Sequence, residues 1–255
     1  MKKRYFVIIT CAAFIMSVML AAARKPVQLE MHITKQDIDL NARQINFKLN
    51  KPAAKAETTF FDPGGGELTT IETDFKGASA GSRLTITWDP VDKSIGRIEI
   101  KAYDTQEFWV GYEIVPFFIE IPHEEVVFES GKWDLRKSEM PKMDSALGLL
   151  KQAIVQYGNQ MQASVYVGGF TDTVGSDADN QILSERRAKT LAVYFRKKGI
   201  KLRIFYRGFG EKVPAVPTPD KTAEEKNRRA TYILAAMTPE IGGPDAPGQW
   251  RLLSR

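Results

Sequence analysis

The strongest constraint on the fold is a change of period near Pro122. Before it, apolar residues recur at every second position: Val27, Leu29, Met31 and Ile33; Ile45, Phe47 and Leu49; Leu84, Ile86 and Trp88; Ile98, Ile100 and Ala102; Phe108, Val110, Tyr112 and Ile114. Such alternation marks half-buried strands. Turn signals separate them at Asn50-Lys51-Pro52, Asp62-Pro63-Gly64-Gly65-Gly66, Gly77 to Gly81 and Asp89-Pro90. Seven or more short strands with no convincing helix predict an all-β sandwich over residues 24–122. A membrane barrel also alternates, but it requires strands of about 9–11 residues and more of them than this region can hold.

After Pro122 the period becomes helical. Val126-Val127-Phe128 reads as a short strand, and Met143, Leu147, Leu150 and Ile154 share one helix face, with Pro141 in the first turn. Ala163, Val165 and Val167 alternate as a strand. A second helix is expected from about Ser176 to Lys198, stopped by Gly199. Leu202 to Tyr206 and Ala230 to Ala235 complete a β-α-β-α-β-(α)-β order, a two-layer α/β arrangement over residues 123–237. The fold class is therefore α+β. The Gly- and Pro-rich residues 238–255 read as a flexible or loosely docked tail. Within the first region, Leu84 to Asp89 followed by Tyr103 resembles the core strands of immunoglobulin-like or fibronectin-like modules, a resemblance that carries no motif for an activity.

The chain opens with Lys2, Lys3 and Arg4, an apolar run from Tyr5 to Leu20, and Ala21-Ala22-Ala23, the pattern of a secretory signal over residues 1–23. The apolar run is also just long enough to stay as a membrane anchor. Cleavage would remove three of 36 basic residues and leave 33 against 31 acidic ones, a net charge of +2. So small an excess gives no electrostatic reason to expect nucleic acid. The single cysteine, Cys11, lies inside the signal, so the exported protein relies on packed cores and not on disulfides. Apolar residues continue well past Cys11, which disfavours a lipidated cysteine.

Catalytic patterns do not emerge. His32 and His123 lie 91 positions apart, outside any motif, and read as ordinary surface residues. No Cys/His metal spacing occurs after the signal, and "DTVGSDAD" lacks the glycine and distal glutamate of a calcium loop. "ESGKW" and "RGFGEKV" lack the further residues a phosphate-binding loop requires, and no nucleophile–base set is apparent. No cofactor and no enzymatic activity are expected. Arg186, Lys189, Arg196, Lys197 and Lys198 read as a solvated basic helix surface.

The stretch "GGFTDTVGSDADNQILSERRAKTLAVYF" contains the strongest candidate site. Ser176 can cap the helix, with Asp177 and Asp179 favoured by the positive end of its dipole. Asn180, Leu183, Arg187 and Leu191 follow at three, four and four, which places Arg187 beside a buried face where an unpaired charge is costly. Asp172, at the end of the preceding strand, is an available partner. Two readings stay open: a structural Asp172–Arg187 salt bridge, or a receptor for a zwitterion in which Arg187 takes a carboxylate and Asp172 an ammonium.

That stretch, with "YRGFGEKVPAVP" and "NRRATYIL", resembles the OmpA-like C-terminal domain, a peptidoglycan-binding module, from about Val126 to Ala235. The resemblance implies noncovalent binding of the meso-diaminopimelate of the peptidoglycan stem peptide, through residues that map onto Asp172, Arg187, Asn180 and Arg229. Thr171 and Leu183 line the same pocket by analogy. The family often has Phe-Asp-x-Asn after its first strand, whereas this chain has Phe128-Glu129-Ser130-Gly131, so Lys132 and Trp133 are candidates for part of that surface.

The expected role is a non-catalytic protein of the periplasm or outer membrane of a Gram-negative envelope, holding a protein partner through its β-sandwich. The alternative is an inner-membrane protein that links a membrane complex to the wall through an uncleaved N-terminal helix. Tyr5 to Ala23 contains no acidic residue to relay protons, which argues against a flagellar-stator role. A module that has lost wall binding and serves only protein contacts is a third reading.

Overall fold

A computed structural model of the 255-residue chain describes residues 28–129, 131–158, 162–243 and 245–254. The expected signal over 1–23, with Cys11, lies outside the described residues. Among the described residues no helix is long and apolar enough to cross a membrane. The chain forms two compact units: unit 1 holds the described residues up to Pro116 with Gln162, and unit 2 runs from Phe117 to Gly158 and from Ala163 onward. The division falls six residues before the boundary expected at Pro122.

Unit 1 is two antiparallel sheets. In the first, β3 (Gln44–Leu49) pairs on one side with the short β1 (Met31–His32) and β2 (Ile38–Asp39), and on the other with β6 (Leu84–Thr87). In the second the order is β5 (Glu67–Ala78), β4 (Ala53–Phe61), β7 (Arg97–Asp104), β8 (Trp109–Ile114). The expected alternation buries Ile45, Phe47, Leu49, Ile86, Ile98 and Ile100. Phe47 meets Phe75 edge-on at 5.7 Å and Phe60 meets Trp88 at 5.2 Å, so aromatic rings from one sheet pack on the other. The glycine-rich turn after Phe61 joins β4 to β5, where Asp62 Oδ1 accepts from the amides of Gly64 (2.8 Å) and Gly66 (2.9 Å).

Unit 2 is one five-stranded sheet with order β13 (Arg251–Leu252), β11 (Arg203–Gly208), β10 (Ser164–Gly169), β12 (Ala230–Ala235), β9 (Phe118–Glu120). β10 and β11 are parallel, with α2 (Asp177–Lys197) as the crossover, and every other pair is antiparallel. The helix before β10 is α1 (Met140–Tyr157), with Pro141 in its first turn as expected. Met143 of α1 and Phe195 of α2 meet Tyr232 of β12, burying one sheet face.

Two expectations are corrected here. Val126-Val127-Phe128 is not a strand, and the strand beside β12 is the earlier β9. Residues 126–128 are drawn off the sheet edge because the Val127 amide donates to Glu139 Oε2 (3.0 Å) at the start of α1. The tail is docked, not loose. Trp250 packs edge-on against Tyr166 (5.1 Å) and Phe209 (5.8 Å), and Ala246 and Leu253 are buried. β13 pairs with β11, and Arg207 donates to the carbonyls of Pro247 and Ala246. Apolar area covered by a large aromatic outweighs the flexibility that Gly and Pro lend to the backbone.

Candidate functional site

α2 begins where the sequence indicates. Ser176 Oγ accepts from the Asp179 amide at 3.1 Å and donates to the Asp179 carboxylate at 2.7 Å. The helix ends at Lys197, with Lys198 as its C-cap and Gly199 following at φ +96°, a left-handed position suited to glycine. Arg196 is not part of a solvated surface, because it donates to the carbonyls of Ile200 and Leu202 and ties off the helix end.

Close approach of α2 to the sheet sets the site. A Cβ on Gly169 would lie 2.4 Å from the Ser184 carbonyl, and one on Gly208 2.4 Å from the Glu185 amide, so only glycines let the helix backbone rest on β10 and β11. Asn180, Ser184, Arg187, Ala188 and Leu191 are consequently buried along the sheet-facing side of α2. The loop after β10 brings Asp172 beside this face, and both Asp172 (7% exposed) and Arg187 (8%) are buried.

The two do not pair directly. Asp172 Oδ2 accepts from Arg228 Nη1 at 2.7 Å, an ion pair whose arginine side chain is 42% exposed. Arg187 instead donates from Nε to the Lys132 carbonyl (3.0 Å) and from Nη2 to the Glu129 carbonyl (3.2 Å), and lies over the Phe128 ring at 5.0 Å. The loop carbonyls win because they converge on the guanidinium edge, whereas Arg228 reaches Asp172 from the solvent side. Burial lowers the Arg187 pKa from its ordinary value, a shift opposed by the Asp172 charge and reinforced by Arg228. A guanidinium carries five N–H donors, so with two engaged Arg187 retains donors for a further anion.

The other expected residues separate into three kinds. Asn180 points inward: its Nδ2 donates to the carbonyls of Asp172 and Val174 (3.2 Å each) and to Glu211 Oε2 (2.6 Å), clamping the loop that carries Asp172. Arg229 lines a small cavity of about 70 Å³ together with Arg187, Arg228, Glu125, Phe128 and Phe170. Its guanidinium lies 3.8 Å from the Phe170 ring centre and donates to the Val213 carbonyl, and burial lowers its pKa. Thr171 and Leu183 do not line this cavity. Thr171 is buried at 2% exposure, its amide donates to the Gly210 carbonyl and its hydroxyl has no hydrogen-bond partner among the described residues.

The altered loop is shaped by its own charges. Glu129 pairs with Lys132 (2.5 Å) and Arg136 (3.5 Å), and Gly131 takes φ +67°, which explains a glycine there. Glu125 Oε2 accepts from the Ala230 amide at 2.9 Å, and burial raises its pKa. His123 is no surface residue: its side chain is 7% exposed and its ring lies 4.1 Å from that of Tyr232. Arg228, Glu211 and Glu125 were missed from sequence. Arg228 lies inside the quoted "NRRA", where spacing does not say which arginine turns toward Asp172. Among the described residues no group of three or more His, Cys, Asp or Glu side chains could hold a metal ion.

This buried, charge-bearing corner on a βαβαβ sheet defines the class. Residues 127–228 are an OmpA family domain, a match that leaves unit 1 outside it. The chain is 32% identical over 118 residues to the photosystem I P700 chlorophyll a apoprotein A2 of Gloeobacter violaceus, covering 44% of this chain and 13% of that protein. It is 34% identical over 118 residues to outer membrane protein P5 of Haemophilus influenzae, covering 46% of this chain and 30% of P5. This chain thus spans a third or less of the length of these relatives. The crystal structure of the peptidoglycan-associated lipoprotein from Burkholderia pseudomallei aligns with a TM-score of 0.36 and 18% identity, over 44% of this chain and 90% of that one.

Proposed function

We propose that unit 2 binds peptidoglycan noncovalently through the meso-diaminopimelate of its stem peptide, and so anchors the protein to the wall of a Gram-negative envelope. The observation that carries this reading is the corner where Asp172, Arg187 and Arg228 meet on an OmpA family domain. A zwitterion needs one fixed anion and one planar cation within a short reach, and Asp172 and Arg187 supply them. Arg187 offers its remaining N–H donors to the carboxylate, while Asp172 accepts from the ammonium, which shares or displaces the Arg228 contact. Asn180 and Glu211 act as positioning residues that hold the Asp172 loop. Thr171, Leu183 and Arg229 remain assigned to the same site at its margins, with Arg229 adding positive potential from the adjoining cavity.

Unit 1 is read as an immunoglobulin- or fibronectin-type sandwich that holds an envelope protein partner, a reading supported by its two antiparallel sheets and interleaved aromatics. The protein is read as non-catalytic and as resident in the periplasm or at the outer membrane, after removal of residues 1–23. N-terminal sequencing of the exported protein tests the last point: a start at Arg24 supports it, and an intact Met1 favours a membrane-anchored linker. For the site, the full chain is sedimented with purified sacculi. Wild type pellets and is released by free meso-diaminopimelate, whereas Asp172→Ala and Arg187→Ala, verified as folded, stay in the supernatant. Pelleting of both variants at the wild-type level would refute the assignment.

A further inference from the structure

Unit 2 carries a second and larger concavity, a groove of about 640 Å³, whose floor is Trp133, Leu135, Met140, Val193 and Tyr194. Arg186, Lys189, Lys197 and Lys198 stand around it, and among the described residues no carboxylate lines it. Lys198 is neutralised by Asp144 at 2.8 Å, but among the described residues Arg186, Lys189 and Lys197 have no ion pair. The Arg186 guanidinium lies 4.2 Å from the Trp133 ring centre and Lys189 Nζ lies 5.9 Å from that of Tyr206, so the charged ends of two of these cations lie over aromatic rings. Trp133 and Met140 are 37% and 38% exposed, large apolar side chains left facing solvent.

We propose that this groove binds one molecule of an anionic lipid, its acyl chain on the apolar floor and its headgroup held by Arg186, Lys189 and Lys197. Size and lining match those of small-molecule sites, which are concave, mostly apolar and of roughly 300–1,000 Å³. The balance of hydrogen-bonding groups selects the occupant. An extended peptide or a saccharide brings polar groups along its whole length, and each needs a partner when buried. Apart from its cations and the Trp133 N–H, the groove offers only Thr190 and the Tyr194 hydroxyl, which already donates to Asp144 at 2.8 Å. A long hydrocarbon with charge at one end asks for nothing more, and three unpaired cations supply the complementary charge.

The probe is monomeric lysophosphatidylglycerol, titrated below its micelle threshold into the full chain and followed by tryptophan fluorescence and calorimetry. It is expected to bind about tenfold or more tightly than lysophosphatidylcholine, roughly the 1.4 kcal/mol of one well-placed charge contact. Trp133→Phe removes most of the fluorescence response. Val193→Asp weakens binding about tenfold or more by placing a charge on the apolar floor, and the surface variant Lys189→Glu/Lys197→Glu does the same should Val193→Asp fail to fold. Equal affinity for the two lipids, or unchanged affinity in the charge variant, overturns the proposal. So does an acidic amphipathic helical peptide that binds the groove while lysophosphatidylglycerol does not. Sedimentation with sacculi reads the Asp172 corner separately and is expected to be unchanged in Val193→Asp and in Lys189→Glu/Lys197→Glu.

Discussion

Arg187 is a buried cation whose nearest hydrogen-bond partners are two loop carbonyls and not the carboxylate beside it. Neutral carbonyls hold the guanidinium in place without cancelling its charge, which leaves the charge for a ligand. Arg187→Lys keeps the charge but loses the fork, so we expect sacculus binding to fall about tenfold or more while the domain stays folded, measured by sedimentation and circular dichroism. Two glutamates, the buried Glu139 and the partly exposed Glu125, make opposite predictions about acid. Glu139 accepts the Val127 amide and pairs with Lys142, which lowers its pKa from 4.5, so its stabilisation is full above about pH 4.5 and is lost as pH falls through the lowered value. Glu125 is raised by burial, so its ionisation costs stability as pH rises from about 4.5 through the raised value. Urea titrations are expected to show Glu139→Gln less stable than wild type by about 1–2 kcal/mol at neutral pH, the deficit closing in acid. Glu125→Gln is expected to lose the downward slope that wild type shows above about pH 4.5.

At the scale of elements, the glycines under α2 and the aromatics of the tail give two stability predictions. Gly208→Ala forces a methyl group into the α2 backbone and is expected to cost about 1–3 kcal/mol, read as a lower urea midpoint. Trp250→Ala opens the sheet face over Tyr166 and Phe209 and is expected to cost about 2–4 kcal/mol, read the same way. The legibility of the fold follows its periodicity. β3, β6, β7 and β8 were readable because one face of each is apolar. β4 and β5, the longest pair, were not: β5 runs through Thr, Glu, Asp and Lys with no fully buried position, and β4 buries small or polar residues such as Ala53, Ala56 and Thr58. Val126–Phe128 misled for the converse reason, since three consecutive apolar residues suit a strand but also suit a cavity wall. At the candidate site, the burial of Arg187 could be read from helix spacing. The choice of Arg228 as the partner of Asp172 could not, because it depends on a loop whose path no local pattern specifies.

At the scale of the whole molecule, two units each carry their own core. Ile45, Phe47, Phe60 and Ile100 belong to the first, and Tyr166, Phe195, Phe209 and Tyr232 to the second. Each is of ordinary domain size, and a core of its own is what independent folding requires. A fragment of residues 117–255 is therefore expected to pellet with sacculi as well as the full chain does, and a fragment ending at Pro116 to stay in solution. The placement of β13 has a further consequence. Through Phe205↔Leu252 and Tyr206↔Arg251 it closes a stretch of the outer edge of β11, while Trp250 shields the aromatic face behind it. An uncovered edge next to exposed rings is a template on which a second chain can add, so β13 and Trp250 guard this edge of unit 2 against strand addition.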